Sequence, residues 1–409
     1  MWVAPLLRRL IRYGRLTVID AQGRIHRFVG QGGPEVLIRI HDTALERRLL
    51  FQADLALGEG YTEGRLTVEE GSLYDLLDLL GRNYQLARQR GPLRWLNRIE
   101  RAFRRLYQIN PKERARRNVA HHYDLNGELY RLFLDQDRQY SCAYFEHPEA
   151  DIDEAQRAKK RHIAAKLLLE PGMRVLDIGC GFGGLALDLA RRFDVEVVGI
   201  TLSREQVEEA RRRAREEGLS DRVTFLFEDY RSHRGVYDRI VSVGMFEHVG
   251  VNHYRTFFRT LAELLSPRGV ALLHSIGRMA GPGSTSPWIR KYIFPGGYIP
   301  ALSEVMPVVE SSGLWVTDLE ILRLHYAFTL RRWRERFLAN RQRVRELYDE
   351  RFCRMWEYYL VASEIFFRRL DGMVFQLQLA KERDLVPLTR DYIYEAEHRL
   401  RAQVAHAAA

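Results

Sequence analysis

Residues 174–184, Arg-Val-Leu-Asp-Ile-Gly-Cys-Gly-Phe-Gly-Gly, constrain this chain more than any other stretch. Val175, Leu176 and Ile178 form the short apolar run expected of a strand buried on both faces. Gly179, Gly181, Gly183 and Gly184 follow, and Leu185-Ala-Leu-Asp-Leu-Ala190 opens a helical pattern. A strand, a glycine turn and a helix start make a nucleotide-binding geometry. Glycines let the backbone come close to a ligand, and the helix N-terminus offers unpaired N–H groups.

Two cofactors suit such a turn. Gly179, Gly181 and Gly184 satisfy the dinucleotide pattern G-x-G-x-x-G, which expects an acid after the next strand. That strand, Glu196-Val-Val-Gly-Ile200, instead runs into Thr201-Leu-Ser-Arg-Glu-Gln206, with no acid at its tip. The acid lies two residues before the first glycine, at Asp177. There it can fix the turn and sit beside a cationic ligand, but it would repel a pyrophosphate. The sulfonium of S-adenosylmethionine is favoured over NAD, and a tight turn that binds nothing is the plain alternative.

Strands at 175–178, 195–200, 223–227, 237–243 and 269–276 alternate with helices starting near 185, 203 and 254. This predicts a doubly wound α/β sheet, the Rossmann-like fold of class I S-adenosylmethionine methyltransferases. Ligands bind beyond the carboxyl ends of such strands. Thr201, Leu202, Ser203 and Gln206 follow the second strand and suit ribose hydroxyls. Asp229, after the third strand, can accept from an adenine amino group, with Tyr230 beside it. Glu247 after the fourth strand and His274 in the fifth share the rim where chemistry would occur.

At 409 residues the chain predicts two or three domains. Residues 1–80 read as a smaller α+β lipid-docking domain with hairpin strands around Ala21-Gln-Gly23 and a helix over 44–57. A linker follows over 81–117, and a catalytic domain over 118–409. The segment 277–300, rich in Gly, Pro and Ser, reads as a cover over the site. Helices beyond 330 carry many aromatics, most of them core and some suited to an acyl tunnel. No apolar run is long enough for a transmembrane helix, and the arginine-broken N-terminus is no signal peptide. Cys142, Cys180 and Cys353 are too scattered for a metal site or a disulfide framework. A cytoplasmic enzyme is expected.

Between Gly81 and Arg117 twelve basic residues face two acidic ones, an excess that equals the +10 net charge of the whole chain. Leu93, Trp95, Leu96, Ile99, Phe103, Leu106 and Tyr107 recur among them at helical spacing. A basic amphipathic helix of this kind suits an anionic phospholipid membrane surface, met peripherally from its inner face. A solvated linker and a nucleic-acid surface are the alternatives, though no recognised nucleic-acid module accompanies it.

Six motifs in order complete the picture: Tyr140-Ser-Cys-Ala-Tyr144, Val175–Gly184, Ser242-Val-Gly-Met-Phe-Glu-His-Val-Gly250, Leu272-Leu-His-Ser-Ile-Gly277, Trp288–Gly297, and His325-Tyr326 before Thr329-Leu330. Together they make the chain resemble the cyclopropane-fatty-acyl-phospholipid synthases. The resemblance implies transfer of a methylene unit from S-adenosylmethionine to the cis double bond of an unsaturated phospholipid, with bicarbonate as base. It implies bicarbonate ligands at Cys142, Glu247, His274, Ile276 and Tyr326, with Cys142 and Ile276 contributing backbone. Cofactor contacts are implied at Tyr140, Ser141, the glycine turn, residues 201–206 and the Asp229–Tyr230 corner. Peripheral membrane association and a homodimer are implied as well. Two places depart from the family pattern: Leu125-Asn126-Gly127 replaces Leu-Gly-Asn, and Phe328 is bulkier and less polar than expected.

An isolated alkene is a weak nucleophile, so methyl donor and double bond must be held in line without water. The cation left on the alkene needs aromatic faces, for which Tyr144, Phe145, Phe246 and Tyr326 are candidates. A related enzyme that stops at a methyl-branched or methylene product shares every feature up to that cation. A methyltransferase for a small soluble amine and a lipid-binding protein on a relic fold are the more distant readings.

Overall fold

The computed structural model describes residues 1–89 and 127–408, so most of the basic segment lies outside the described residues. The chain opens with α1 (Ala4–Leu10), β1 (Tyr13–Ile19), β2 (Ile25–Val29) and β3 (Gln31–Ile40). The β1–β2 turn forms as its residues predict: Asp20 Oδ1 accepts from the backbone N–H groups of Gln22 and Arg24, and Gly23 takes φ 81°. The helix expected over 44–57 is two helices, α2 (Thr43–Phe51) and α3 (Ala53–Thr62), broken at Gln52 in an extended φ of −139°. Asp42 caps the first, accepting from Leu45 N at 2.8 Å. Then come β4 (Leu66–Glu70) and α4 (Leu73–Gln89). The four strands form one sheet in the order β2-β1-β3-β4.

The second half begins with α5 (Gly127–Phe133) and α6 (Ile152–Leu167), the latter ended by Leu168 in the left-handed region. Next are β5 (Arg174–Ile178), α7 (Gly184–Phe193), β6 (Glu196–Thr201), α8 (Arg204–Glu216) and β7 (Val223–Phe227). They are followed by β8 (Tyr237–Val243), α9 (Tyr254–Leu264) and β9 (Leu265–Arg278). Beyond the sheet's parallel part lie α10 (Pro287–Tyr292), α11 (Leu302–Glu310), β10 (Trp315–Leu322) and α12 (His325–Ala339). The chain closes with α13 (Arg341–Leu347), α14 (Glu350–Arg369), β11 (Gly372–Ala380) and α15 (Asp391–Ala408). Seven strands form one sheet, β10-β11-β9-β8-β5-β6-β7, whose β9, β8, β5, β6 and β7 run parallel. Val175, Leu176 and Ile178 are buried, as a central strand requires. One face is covered by apolar residues of α6, α7 and α8, such as Ile163, Leu187 and Val207; the other by Phe257, Phe258 and Val305 of α9 and α11. Ridges of apolar side chains at helical spacing on one side of each helix explain this two-sided cover.

The described residues form two compact units that are interleaved, where the sequence drew consecutive domains. One gathers residues 1–89, 283–295 and 327–372; the other holds 127–282, 296–326 and 373–408. Within the first unit α14 packs on α3 and α4, with Ile365 against Gly81 and Arg369 Nε 2.5 Å from Asp78 Oδ1. Trp333, Phe337, Trp356, Tyr358, Tyr359 and Phe367 are buried there as core. The Gly- and Pro-rich segment expected as a cover carries α10, whose Trp288 indole seats against Gly58. Lys291 Nζ and Tyr292 Oη both donate to Glu59 Oε1, at 2.6 and 2.9 Å. Among the described residues no helix is long and apolar enough to cross a membrane.

Candidate active site

The glycine turn is pinned by backbone: Gly179 N and Cys180 N both donate to Ile200 O, at 2.8 and 3.1 Å. Gly183 takes φ 81° to start α7, and a methyl group added there would lie 2.6 Å from the Phe225 ring. At Gly181 the same methyl group would meet nothing within 4 Å, so this backbone faces open space. Asp177 does not fix the turn as expected; among the described residues its carboxylate makes no hydrogen bond to it. Burial pushes Asp177 up to about 7, and the Lys159 ammonium opposes that rise.

After β6, Thr201, Ser203 and Gln206 are buried and bonded to one another. Thr201 Oγ1 donates to Gln206 Oε1 at 2.8 Å, and Ser203 Oγ caps α8 by accepting from Gln206 N at 3.3 Å. Leu202 lies between them, half-buried. After β7, Asp229 is buried and already engaged: Arg231 donates to it from Nε at 2.9 Å and from Nη2 at 2.6 Å. The Tyr230 ring meets Phe257 edge-on at 5.5 Å.

Segment 135–145 closes the site from above the turn. Asp137 and Gln139 lie so close over Gly184 that a methyl group there would overlap both. Helix α6 holds the next residues: Gln156 Nε2 donates to Gln139 O at 3.2 Å and Ser141 O at 3.0 Å. Lys159 Nζ donates to Gln139 Oε1 at 2.7 Å and Ser141 Oγ at 2.8 Å. Tyr140 packs edge-on against Tyr130 and Phe133. Ser141 reaches β8, with its Cβ 3.7 Å from a methyl group placed on Gly244. Cys142 is buried, and its thiol donates to Ala143 O at 3.3 Å.

Glu247 and Ile276 meet directly: Ile276 N donates to Glu247 Oε1 at 2.6 Å. His274 precedes Ile276 by two residues on β9, hence on the same strand face. Gln376 Nε2 lies 3.1 Å from His274 Nδ1, which leaves Nε2 to carry the ring proton. Burial pushes the Glu247 carboxyl up to about 7, against the pull of the Ile276 N–H. Burial first, and Lys159 next, hold the His274 imidazole neutral. Among the described residues two buried atoms of this cluster have no hydrogen-bond partner, Glu247 Oε2 and His274 Nε2. Tyr326, in the first turn of α12, is largely buried. Its neighbour His325 accepts from Phe145 N at 2.9 Å through Nδ1, tying the start of α12 to segment 140–145.

Two of the four aromatic candidates are spent elsewhere. Tyr144 stacks on His162 (4.2 Å) and on His325 (4.9 Å), so both its faces are covered. Phe246 is core, stacked on Tyr254 at 4.3 Å and flanked by Phe257 and Phe258. The Phe145 ring lies 6.5 Å from that of His325. Sequence reading missed Lys159, Gln156 and Gln376. Their signal was a polar side chain at a position where a helix face or an apolar strand is otherwise buried.

A glycine turn after the first strand, and polar corners at the carboxyl ends of the next, make this a class I S-adenosylmethionine-dependent methyltransferase. The room over Gly181 fits an adenosyl cofactor at that turn. Residues 110–377 match the mycolic acid cyclopropane synthetase family model, and the chain belongs to that family. It is 40% identical over 345 residues to the cyclopropane-fatty-acyl-phospholipid synthase of Escherichia coli K12, covering 84% of this chain and 87% of that one. A tuberculostearic acid methyltransferase of Mycobacterium tuberculosis is 36% identical over 390 residues, 92% of this chain and 90% of that one. Among solved structures, mycolic acid cyclopropane synthase CmaA1 complexed with SAH and CTAB is 34% identical with TM-score 0.63, covering 67% of this chain and 99% of that one. The chain is thus a methyltransferase of the cyclopropane-fatty-acyl-phospholipid synthase type.

Proposed function

We propose that this enzyme adds a methylene unit to the cis double bond of an unsaturated phospholipid acyl chain, closing a cyclopropane ring, with bicarbonate as the base. The observation that carries the reading is the pair of unpartnered buried atoms, Glu247 Oε2 and His274 Nε2. Unpaired buried polar atoms are costly, and two of them on groups joined through Ile276 call for a shared partner. One is a donor N–H, the other a carboxyl oxygen. A small ion that carries both a bare oxygen and an O–H, as bicarbonate does, satisfies both.

S-adenosylmethionine, when bound at the glycine turn with Tyr140, Ser141, residues 201–206 and the Asp229–Tyr230 corner, supplies an electrophilic methyl group. The protein's part is to hold the alkene in line with it and keep water out. Phe145 and Tyr326 offer aromatic edges and faces to the positive charge that develops on the acyl chain. One proton must then leave the added carbon so that its C–H electron pair closes the ring. His274 Nε2–H and Glu247 Oε2 orient the base for that proton, with the Cys142 and Ile276 backbone and the Tyr326 hydroxyl completing its site. The Cys142 thiol donates to the Ala143 carbonyl.

A second reading is favoured by one finding. The mycobacterial relative that spans most of this chain is named a methyltransferase of tuberculostearic acid, not a cyclopropane synthase. Phe328, whose ring lies 5.7 Å from the Arg368 guanidinium, is the departure that bears on it. The basic amphipathic stretch supports peripheral attachment to an anionic cytoplasmic membrane face. A homodimer belongs to the same proposal and rests on the family resemblance.

The test is purified protein with vesicles of monounsaturated phosphatidylglycerol and phosphatidylethanolamine, S-adenosylmethionine labelled at its methyl group, and bicarbonate added to CO2-depleted buffer. Label in the acyl chain, at a rate that rises with bicarbonate, is expected. No label in lipid would defeat the substrate, and label without bicarbonate dependence would defeat the base.

A further inference from the structure

Behind the site lies a buried ammonium that makes no ion pair among the described residues, the charges of Asp135 and Asp137 acting on it only from beyond pairing distance. Lys159 is on α6, the helix that packs on β8 and β9, and is 0% exposed. Its two hydrogen bonds go to neutral oxygens, of Gln139 and Ser141. Among the described residues no carboxylate lies within ion-pairing distance of it. The other buried cations of α6 all have theirs. Lys160 pairs with Asp137 at 2.9 Å and Asp188 at 3.3 Å. Lys166 pairs with Glu320 at 2.5 Å and Asp318 at 3.3 Å. His162 sits between Glu320 and Glu397, at 2.7 and 2.8 Å.

An unpaired buried charge is expensive and is retained where it serves something. Burial pulls Lys159 down to about 8, so the ammonium persists at neutral pH. Its charge is the first to act on His274 and the one that opposes the rise at Asp177. Geometry ties it to the same place: Ser141, to which it donates, lies against Gly244, whose N–H donates to His274 O at 2.9 Å. The groups expected to touch a small anion there carry little charge of their own. His274 is neutral and Glu247 is shifted toward its protonated form. Hydrogen bonds alone leave a buried anion uncompensated, and a fixed cation nearby is felt strongly at low dielectric.

We propose that Lys159 is a positioning residue of the anion pocket: it supplies the fixed positive charge against which bicarbonate is held, while its bond to Ser141 sets the segment that brings the Cys142 backbone to that ion. The proposal rests on the bicarbonate reading above and adds a residue to it.

Three variants test it: Lys159→Met, which removes charge and donors; Lys159→Gln, which keeps a donor for Ser141 but no charge; and Lys159→Arg, which keeps the charge. In CO2-depleted buffer the two neutral variants are expected to need at least about tenfold more bicarbonate for half-maximal rate. The KM for S-adenosylmethionine reads the bond to Ser141 separately: Lys159→Met, which frees that side chain, should raise it, and Lys159→Gln, which keeps a donor there, should leave it within about twofold. Lys159→Arg should recover part of the bicarbonate response. A readout without turnover is the 13C line width of labelled bicarbonate mixed with protein alone. Wild type should broaden it and the neutral variants should not. If Lys159→Met fails to fold, as judged by circular dichroism, Lys159→Gln decides.

Unchanged half-saturating bicarbonate in a folded neutral variant would overturn the proposal and leave Lys159 a clasp for the loop. A wild-type rate and line width indifferent to bicarbonate would instead overturn the base reading, and this proposal with it.

Discussion

Replacing Glu247 by glutamine should abolish catalysis and at the same time stabilise the protein at alkaline pH. The carboxyl is buried, and its affinity for a proton is raised from an ordinary 4.5 to about 7. A group with a raised acid pKa costs stability wherever it is ionised in the folded chain. The penalty is full above about 7, shrinks as pH falls, and is gone below 4.5, where both states are protonated. At about 1.4 kcal/mol for each tenfold change in proton affinity, the full penalty is about 3 kcal/mol. Glutamine keeps an oxygen for the Ile276 N–H and carries no charge. Glu247→Gln should therefore be more stable than wild type by up to about 3 kcal/mol at pH 8, and nearly equal to it near pH 4.5. Urea unfolding at both values, alongside lipid labelling, checks this. A variant equally destabilised at both would refute the reasoning, since it would mean that the carboxylate is needed for folding rather than held at a cost for function.

Gly181→Ala and Gly183→Ala should separate binding from folding. The first adds a methyl group facing open space at φ 55°, costing about 1 kcal/mol of stability while raising the KM for S-adenosylmethionine. The second drives a methyl group against Phe225 and should lower thermal stability by about 2 kcal/mol or more. His325→Ala removes the acceptor of Phe145 N, so stability should fall by about 1 kcal/mol. Turnover should fall with it, more than cofactor affinity does, as measured by calorimetry with S-adenosylhomocysteine. Removing Arg94, Arg98, Arg101 and Arg105 together should weaken binding to anionic vesicles at low salt, the difference closing as salt rises; unchanged sedimentation with vesicles would make that stretch a linker.

The parallel sheet was legible because its strands are apolar runs bounded by turn residues, and the glycine turn could be nothing but a strand-to-helix corner. Ile276 meeting Glu247 was legible only through the family resemblance, because a strand and a loop far apart in sequence carry no local sign of their meeting. The break at Gln52 escaped because helical periodicity runs through it, and only the φ of −139° interrupts the ladder. Tyr144 and Phe246 were offered as aromatic faces because an aromatic beside a motif looks available. Their stacking on His162, His325 and Tyr254 depends on side-chain directions that residue type does not carry. The interleaving of the two units escaped for a similar reason. The apolar face of α14 is plain in its sequence, but its fit to α3 and α4 rests on small residues such as Gly81 in the partner helix.

The central claim is that one carbon is added and a ring is closed. Proton NMR of acyl chains recovered from monounsaturated phospholipid after reaction with the purified enzyme tests it most directly. The account predicts that the olefinic protons disappear as the upfield, shielded methylene protons of a cis cyclopropane appear, in proportion to the methyl groups transferred. A product that has gained the same carbon but shows a new methyl doublet or an exocyclic methylene, with no ring protons, would contradict it.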